Sequence, residues 1–337
     1  MSYYQNVSKN LSHMVNLNHY NLLEDCRNQI FKLNINKILL AYSGGLDSSV
    51  LLNCLYKICL DTQLSIRTIH VNHGLTPQST EFEKHCTEIT SRLKVDHENI
   101  KINIDSSSNI EELSRKKRYL ALTNSCKDDE VIFTAHHDED QIETFLQRLI
   151  RGSGARGLSS MKKESKYHNK VIYRPFLNIS KTIIDNYCDI NNISYIQDES
   201  NHEDRFDRNF IRNNVVPILR SRWPSISKNI LNNIEVQEIH LKCLTDYAKT
   251  ILPNFYLTTQ NELSVSKLNQ EFTHNKILII HEWVIMQTGV ILNLKQIKEI
   301  LKILQTNNDS NPLFKFDQIR IIKNSDTIRL SIMDSSY

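Results

Sequence analysis

The residues able to do chemistry are gathered into a few short runs of this 337-residue chain. Ser43-Gly44-Gly45-Leu46-Asp47-Ser48-Ser49 is the first. His70-Val71-Asn72-His73-Gly74-Leu75 is the second. His136-His137-Asp138-Glu139-Asp140-Gln141-Ile142-Glu143-Thr144 is the third, and it leads into Arg151-Gly152-Ser153-Gly154-Ala155-Arg156-Gly157-Leu158. Six of the chain's seven glycines lie in these runs. Glycine is kept where the backbone needs positive φ or must approach a ligand closely, so the glycine runs read as the walls of one nucleotide site. A glycine turn opening a helix offers backbone N–H groups and positive potential, which together hold phosphate. The first run has neither the lysine of a Walker loop nor the spacing of a dinucleotide fingerprint. Asp47 would repel phosphate unless it held a cation, and Mg²⁺ shared between a carboxylate and phosphates is the usual arrangement. The competing reading is a plain strand-to-helix turn.

Asp140, Glu143 and Thr144 fall at i, i+3 and i+4, on one face of a helix. Two carboxylates aimed at a triphosphate site need a cation, either Mg²⁺ or an amine. A carboxylate there can also take a proton from an amine before it attacks. The competing reading is an acidic helix start favoured by the macrodipole. His136 and His137 are adjacent in extended chain and face opposite ways, so one is expected in the site and one packed. Neither has a third ligand at zinc spacing. Arg118 and Arg208 are candidates for holding phosphate. Lys162, Lys163, Lys166 and Lys170 follow the glycine-arginine run and read as phosphate contacts, or as a solvated loop.

These residues need a scaffold. Residues 36–42, 66–72, 97–104 and 130–135 read as strands, and 48–60, 81–93, 111–125 and 138–150 as helices. The alternation implies an α/β class with a Rossmann-like parallel sheet, whose ligands sit beyond the carboxyl ends of the strands. The glycine and histidine runs fall at those ends. Helices are expected at 181–191 and 210–221, and Arg222-Trp223-Pro224-Ser225 reads as a hinge. Beyond it come a long helix from Ser227, two more near 275–287 and 294–304, and a closing pair of strands. The expected organisation is an extension over 1–24, a catalytic domain over 25–222, and a smaller, mainly helical domain over 226–337.

Net charge is +3. Residues 151–230 hold fourteen Lys and Arg against eight Asp and Glu, a local excess that suits a polyanionic partner. Seven cysteines without a C-x-x-C pair fit free thiols in a reducing cytoplasm. No apolar run is long enough for a membrane span, and the N-terminus does not read as a secretory signal.

S-G-G-x-D-S after a first strand resembles the signature of the PP-loop ATP pyrophosphatases, which cleave ATP between the α and β phosphates. With the HVNHGL, AHHDEDQIET and RGSGARGL runs, Arg174-Pro175-Phe176, Asp198-Glu199-Ser200-Asn201 and Asp207-Arg208-Asn209-Phe210-Ile211-Arg212, the order of motifs is similar to that of tRNA(Ile)-lysidine synthetases. The resemblance covers about residues 36–225. It implies a PP-loop fold of the adenine nucleotide α-hydrolase type and a cytoplasmic, bacterial ligase. It further implies that ATP adenylates the C2 oxygen of the wobble cytidine in a CAU-anticodon isoleucine tRNA, and that free L-lysine then displaces AMP to give lysidine.

On this reading Ser43, Gly44, Gly45, Leu46, Asp47, Ser48, Ser49, His73 and Arg118 bind ATP, and Asp47 and Asp140 hold Mg²⁺. Asp47, Asp140, Glu143, Arg208 and His136 carry the chemistry, with Glu143 mainly on the substrate lysine. Arg151, Arg156, Lys162, Lys163, Arg174 and Arg212 contact tRNA. A homodimer is compatible with it, and no membrane is involved. Glu139 stands where the family commonly has Asp, and longer members carry a further C-terminal domain. The alternatives are a PP-loop tRNA thiolase and a tRNA-binding protein with an inactive ATP site.

Overall fold

Ile38, Leu39 and Leu40 form three consecutive buried positions of the strand Lys37–Ala41 (β1). Such a run is what a parallel strand covered on both faces requires. Successive side chains point to opposite faces, and here Ile38 and Leu40 join one apolar cluster while Leu39 joins another. The computed structural model describes residues 21–74, 78–103, 110–198, 204, 206–306 and 312–333. Leu75, Glu199 to Asn201 and most of the expected N-terminal extension lie outside the described residues.

The elements before and after β1 alternate as the sequence pattern requires. A helix Leu22–Leu33 (α1) precedes it, capped by Asn21, whose side chain accepts from the Glu24 amide at 3.1 Å. Then follow Leu46–Cys59 (α2), Ser65–Asn72 (β2), Ser79–Leu93 (α3), Asp96–Lys101 (β3), Ile110–Ser125 (α4), Val131–Phe133 (β4) and Asp138–Ile150 (α5). A four-residue helix Ala155–Leu158 (α6) leads to Glu164–Tyr167 (β5), Lys170–Tyr173 (β6) and Lys181–Ile190 (α7). The six strands order as β3-β2-β1-β4-β6-β5, all parallel except β5, which runs antiparallel to β6. Strand order reverses between β1 and β4, so the crevice beyond their carboxyl ends is the expected ligand site.

Three local differences from the sequence reading bear on function. First, α2 begins at Leu46, which puts Asp47 in the helix's first turn. Second, the lysine stretch 162–170 is mostly a hairpin: His168 and Asn169 turn it with φ of 45° and 63°. Third, the helix expected over 210–221 begins earlier, at Asp207, and widens along its length. Asp207–Phe210 (α8) passes into a π-helical turn at Ile211–Val215, and Val216–Arg222 (α9) follows. Wide turns of this kind occur often at functional sites.

The chain divides into two compact units, Met1–Gly152 with Ser160–Ile234, and Ser153–Ser159 with Glu235–Tyr337. The division falls inside the helix Ile226–Ile251 (α10), beyond the hinge expected at Trp223-Pro224. The second unit has the expected helices and closing pair of strands, and two further short strands. Glu262–Ser264 (β7) is followed by helices Val265–Gln270 (α11), Thr273–Thr288 (α12) and Leu294–Leu304 (α13). Strands Leu313–Phe316 (β8), Ile319–Asn324 (β9) and Thr327–Ile332 (β10) complete an antiparallel sheet ordered β7-β10-β9-β8. Its core holds Trp283, Ile279, Ile300, Ile321 and Ile328. The indole of Trp283 donates to the Gln260 carbonyl at 2.8 Å. Of the four strands, β9 and β10 alternate clearly enough to be read from sequence; β7 is only three residues long.

Gly44 has φ +81°, and a Cβ built there would meet the Cys86 Sγ at 3.0 Å. Gly154 has φ −78° and nothing within 4 Å of such a Cβ. Gly44→Ala is therefore expected to cost about 2 kcal/mol or more from the left-handed backbone and the contact. Gly154→Ala should stay within about 0.5 kcal/mol of the parent. Urea denaturation of both variants checks this; equal losses would contradict it.

Candidate active site

At the carboxyl end of β1 the chain must turn sharply from strand to helix. Gly44 supplies the positive φ, and Gly45 caps α2 without a side-chain hydrogen bond. The first-turn amides of α2 thus remain for a ligand. Hydroxyls brace the turn: Ser43 Oγ and Ser48 Oγ lie 2.9 Å apart, and Ser48 donates to the Gly45 carbonyl at 3.0 Å. The Ile196 amide donates to the Gly44 carbonyl at 3.0 Å. The turn opens onto a cavity of about 790 Å³ in the first unit, lined from β1, β2, the segments after them and the segment after β4.

His137 organises the facing wall. It caps α5, its backbone N–H donating to Asp140 Oδ2 at 2.9 Å. Its ring lies 3.6 Å from each of the carboxylates of Asp47, Asp138 and Asp140. Burial alone would lower its pKa, but Asp140, Asp138 and Asp47 push it up to about 10. Its Nδ1 also sits 3.2 Å from the Glu139 amide. An imidazolium has no lone pair for that amide, and three carboxylates outweigh one N–H. At neutral pH the ring is a cation.

His136, one residue earlier, is the opposite case. Burial, aided by Arg174, Arg208 and Arg118 against the pull of Asp140, pushes it down to about 3. It is neutral, with Nδ1 2.9 Å from Thr134 Oγ1. Both histidines line the cavity, so neither is simply packed away. His73 lines it too. Burial, with Arg118 and His70, lowers it to about 4, and its buried Nδ1 has no hydrogen-bond partner among the described residues.

The carboxylates on α5 meet two arginines from the α8–π-turn segment. Arg208 donates to Asp140 through Nη2 and to Glu143 through Nε, the latter at 2.7 Å. Arg212 donates to Glu143 at 2.6 and 3.1 Å and lies 3.6 Å from Asp140. Burial raises the Asp140 carboxyl, but His137 and Arg208 outweigh it and hold it far below the usual range. Asp47 is likewise held low: burial raises it, and His137 and Lys181 more than offset that.

The expected site residues therefore separate. The cavity is lined by Ser43, Gly45, Leu46, Asp47 and Ser48, and also by Asp140 and Arg208. Arg118 also lines it, over the Tyr119 ring, with no carboxylate at ion-pair distance among the described residues. Arg212, read as a tRNA contact, is in the site, clasped to Glu143. Glu143 itself is 2% exposed and fully engaged by two guanidiniums, and it does not line the main cavity. Gly44, in the turn, and Ser49, buried in the first turns of α2, do not line the cavity.

Arg174 is not a surface contact either. It is buried and donates to the Lys162 carbonyl at 2.8 Å and Ser165 Oγ at 2.9 Å, which fixes the β5–β6 hairpin. Arg156 belongs to the second unit and donates to the buried Glu282 at 2.5 Å. The run from Arg151 to Leu158 contributes no wall to the cavity. Arg151 and Lys162 are exposed, and Lys163 lies over the Tyr173 ring.

One residue in the site was not singled out from sequence. Lys181 lines the cavity, pairs with Asp47, and lies 3.1 Å from Asp185. A signal existed: a lysine at the first position of a helix opposes the macrodipole, and no acid stands in that first turn. Among the described residues no three His, Cys, Asp or Glu side chains form a metal-binding group.

The PP-loop domain family matches residues 13–219. Relatives named tRNA(Ile)-lysidine synthase match over most of the chain. That of Buchnera aphidicola subsp. Baizongia pistaciae is 39% identical over 86% of this chain and 68% of its own length. That of Haemophilus influenzae is 30% identical over 92% of this chain and 73% of its own. For that of Coxiella burnetii the values are 32%, 87% and 65%, so this chain spans about two thirds of its relatives' length. The solved U34-tRNA thiolase of Methanococcus maripaludis shares the fold, with a TM-score of 0.52 at 16% identity, over 64% of this chain and 78% of its own.

Replacing Glu143 with Gln leaves two guanidiniums without their shared carboxylate. The expected loss is about 3 kcal/mol, at the lower end for a broken buried pair because both arginines are partly exposed. Chemical denaturation measures it, and a loss under about 0.5 kcal/mol would show that the arginines do not depend on Glu143.

Proposed function

Since the chain belongs to the tRNA(Ile)-lysidine synthase family of PP-loop proteins, we propose that it ligates free L-lysine to C2 of the wobble cytidine of a CAU-anticodon isoleucine tRNA. ATP first adenylates the C2 oxygen and releases pyrophosphate. The ε-amine of lysine then forms the C2–N bond as the C2–O bond to AMP breaks. The observation that carries this reading is the one cavity lined by the SGGLDSS turn together with Asp140, His136 and Arg208.

The turn and the first-turn amides of α2 cradle the polyphosphate. His73, after β2, and Arg118, within α4, both line the cavity. Among the described residues, His73 Nδ1 has no hydrogen-bond partner and Arg118 has no carboxylate at ion-pair distance, so both are offered to the nucleotide. Asp47 and Asp140 both approach His137 Nε2 at 3.6 Å. Two such hard oxygen donors fit Mg²⁺ only if phosphates and water complete its shell. They would hold it, and bound there it would neutralise polyphosphate charge.

Asp140, facing the cavity, draws in the ammonium of lysine. Arg208 and Arg212 beside it disfavour the charged amine and so favour the nucleophile. His136, neutral and anchored by Thr134, orients by hydrogen bonding; a ring held near 3 is too weak a base to take the proton itself. Glu143 acts through Arg208 and Arg212, and its earlier assignment to the lysine passes to Asp140. Arg151, Lys162 and Lys163 are the remaining candidates for the tRNA backbone. Among the described residues no helix is long and apolar enough to cross a membrane.

The test is lysine incorporation. Protein, ATP, Mg²⁺ and radiolabelled lysine are incubated with CAU-anticodon isoleucine tRNA, or with the same tRNA carrying uridine at the wobble position. Label is expected with cytidine only, with AMP and pyrophosphate released. ATP cleavage with tRNA but no label would transfer the weight to thiolation, and neither signal would leave a binding protein.

A further inference from the structure

Tyr119 stands among three guanidiniums. The Arg115 and Arg118 guanidinium carbons each lie 5.7 Å from the centre of its ring. Arg174 donates to its hydroxyl through Nη2 at 3.5 Å. Among the described residues none of these three arginines has a carboxylate at ion-pair distance. Arg174 is 4% exposed, and its buried Nε has no hydrogen-bond partner among the described residues. Tyr119 is itself 6% exposed and lines the cavity, as Arg118 does. Tyr167 of the β5–β6 hairpin packs against it, with ring centres 5.6 Å apart.

The cavity's other arginines are held differently. Arg208 and Arg212 are bound to Asp140 and Glu143. A carboxylate fixes a guanidinium strongly, but it cancels the charge and an incoming anion must compete with it. An aromatic face also fixes the cation, through the ring quadrupole, and leaves its charge and N–H groups open. Two effects show that the charge around Tyr119 is unrelieved. Burial raises the Tyr119 hydroxyl, but Arg118, Arg174 and Arg115 outweigh it and hold it below the usual value. Burial lowers the Arg118 guanidinium, and Arg115 and Arg208 add to that while Tyr119 opposes it. Buried cations without acids are costly, and an anion that enters the cavity would offset that cost.

Resting on the ATP-dependent reading above, we propose that Tyr119 is a positioning residue: its ring holds Arg118 in place of a carboxylate, so that the guanidinium charge stays open to a phosphate group of the nucleotide. Tyr119 acts through Arg118, which is the one of the three arginines that lines the cavity. Arg115 and Arg174 add positive potential without lining it. Arg174 and Tyr167 reach Tyr119 from the hairpin and the residue after it, so this part of the fold fixes the ring rather than meeting a ligand itself. A phosphate on Arg118 neutralises part of the field that the phenol feels, and the Tyr119 hydroxyl therefore senses the charge of the ligand.

The experiment measures the binding of ATP with Mg²⁺ and of adenosine by calorimetry, for the wild type, Tyr119→Phe and Tyr119→Leu. Tyr119→Leu removes the ring face and is expected to weaken ATP about fivefold or more, the worth of a partly desolvated cation–π contact. Tyr119→Phe keeps the ring and should bind ATP within about threefold of the wild type, and adenosine should hold within about twofold in both variants. A second measurement serves even where Tyr119→Leu does not fold. Wild-type protein with carbon-13 at the tyrosine ring carbon that bears oxygen is titrated by NMR, the Tyr119 signal being the one absent from Tyr119→Phe. ATP should move the ionisation of that hydroxyl to higher pH, and adenosine should leave it in place. Unchanged ATP binding in Tyr119→Leu, an equal loss of adenosine binding, a loss in Tyr119→Phe as large as in Tyr119→Leu, or an ionisation that ATP does not move would overturn the assignment. If the wild type binds neither ligand, the ATP reading falls and the assignment falls with it. If it binds ATP and only the Tyr119 contrasts fail, the ATP reading stands.

Discussion

Four carboxylates, Asp47, Asp138, Asp140 and Glu143, crowd around the start of one helix, largely withdrawn from water. Like charges at this spacing repel, and burial penalises each. The first unit meets this constraint with four cations from separate parts of the chain: His137, Lys181, Arg208 and Arg212. Removing any one leaves a carboxylate short of a partner. The arrangement of the surrounding elements follows from the need to bring these groups together at the carboxyl ends of β1 and β4.

The pair His136 and His137 shows how finely position decides charge. The two residues are neighbours in the chain, yet one is held near 3 and the other near 10. The difference is which charges each ring meets: arginines for the first, carboxylates for the second. The π-helical turn after α8 matters for the same reason. It leads from Arg208 to Arg212, and both guanidiniums reach Glu143. Glu143 then fixes the arginines that flank Asp140, so a residue away from the cavity governs its charge.

Much of this was legible in the residues. The buried run Ile38-Leu39-Leu40, the glycine turn after it and the acidic start of α5 marked the fold and the site. What the sequence could not give was the partner of each charge. Helical spacing put Asp140 and Glu143 on one face, but could not say which meets the cavity, because Arg208 and Arg212 arrive from 65 and 69 residues away. Arg174, read as a tRNA contact, instead donates to the Lys162 carbonyl and Ser165. The hairpin at 164–173 was hidden because its turn uses His168 and Asn169 at positive φ where glycine would have signalled it. Lys181 was overlooked since its partner, Asp47, is 134 residues distant.

The central claim is that this charge-matched cavity activates the tRNA, and that the lysine is never adenylated. ATP–pyrophosphate exchange tests it most directly. With CAU-anticodon isoleucine tRNA and no lysine, labelled pyrophosphate should enter ATP, since the adenylated cytidine forms before lysine acts. Exchange that needs lysine and proceeds without tRNA would mean that lysine is the adenylated partner, and would contradict the account.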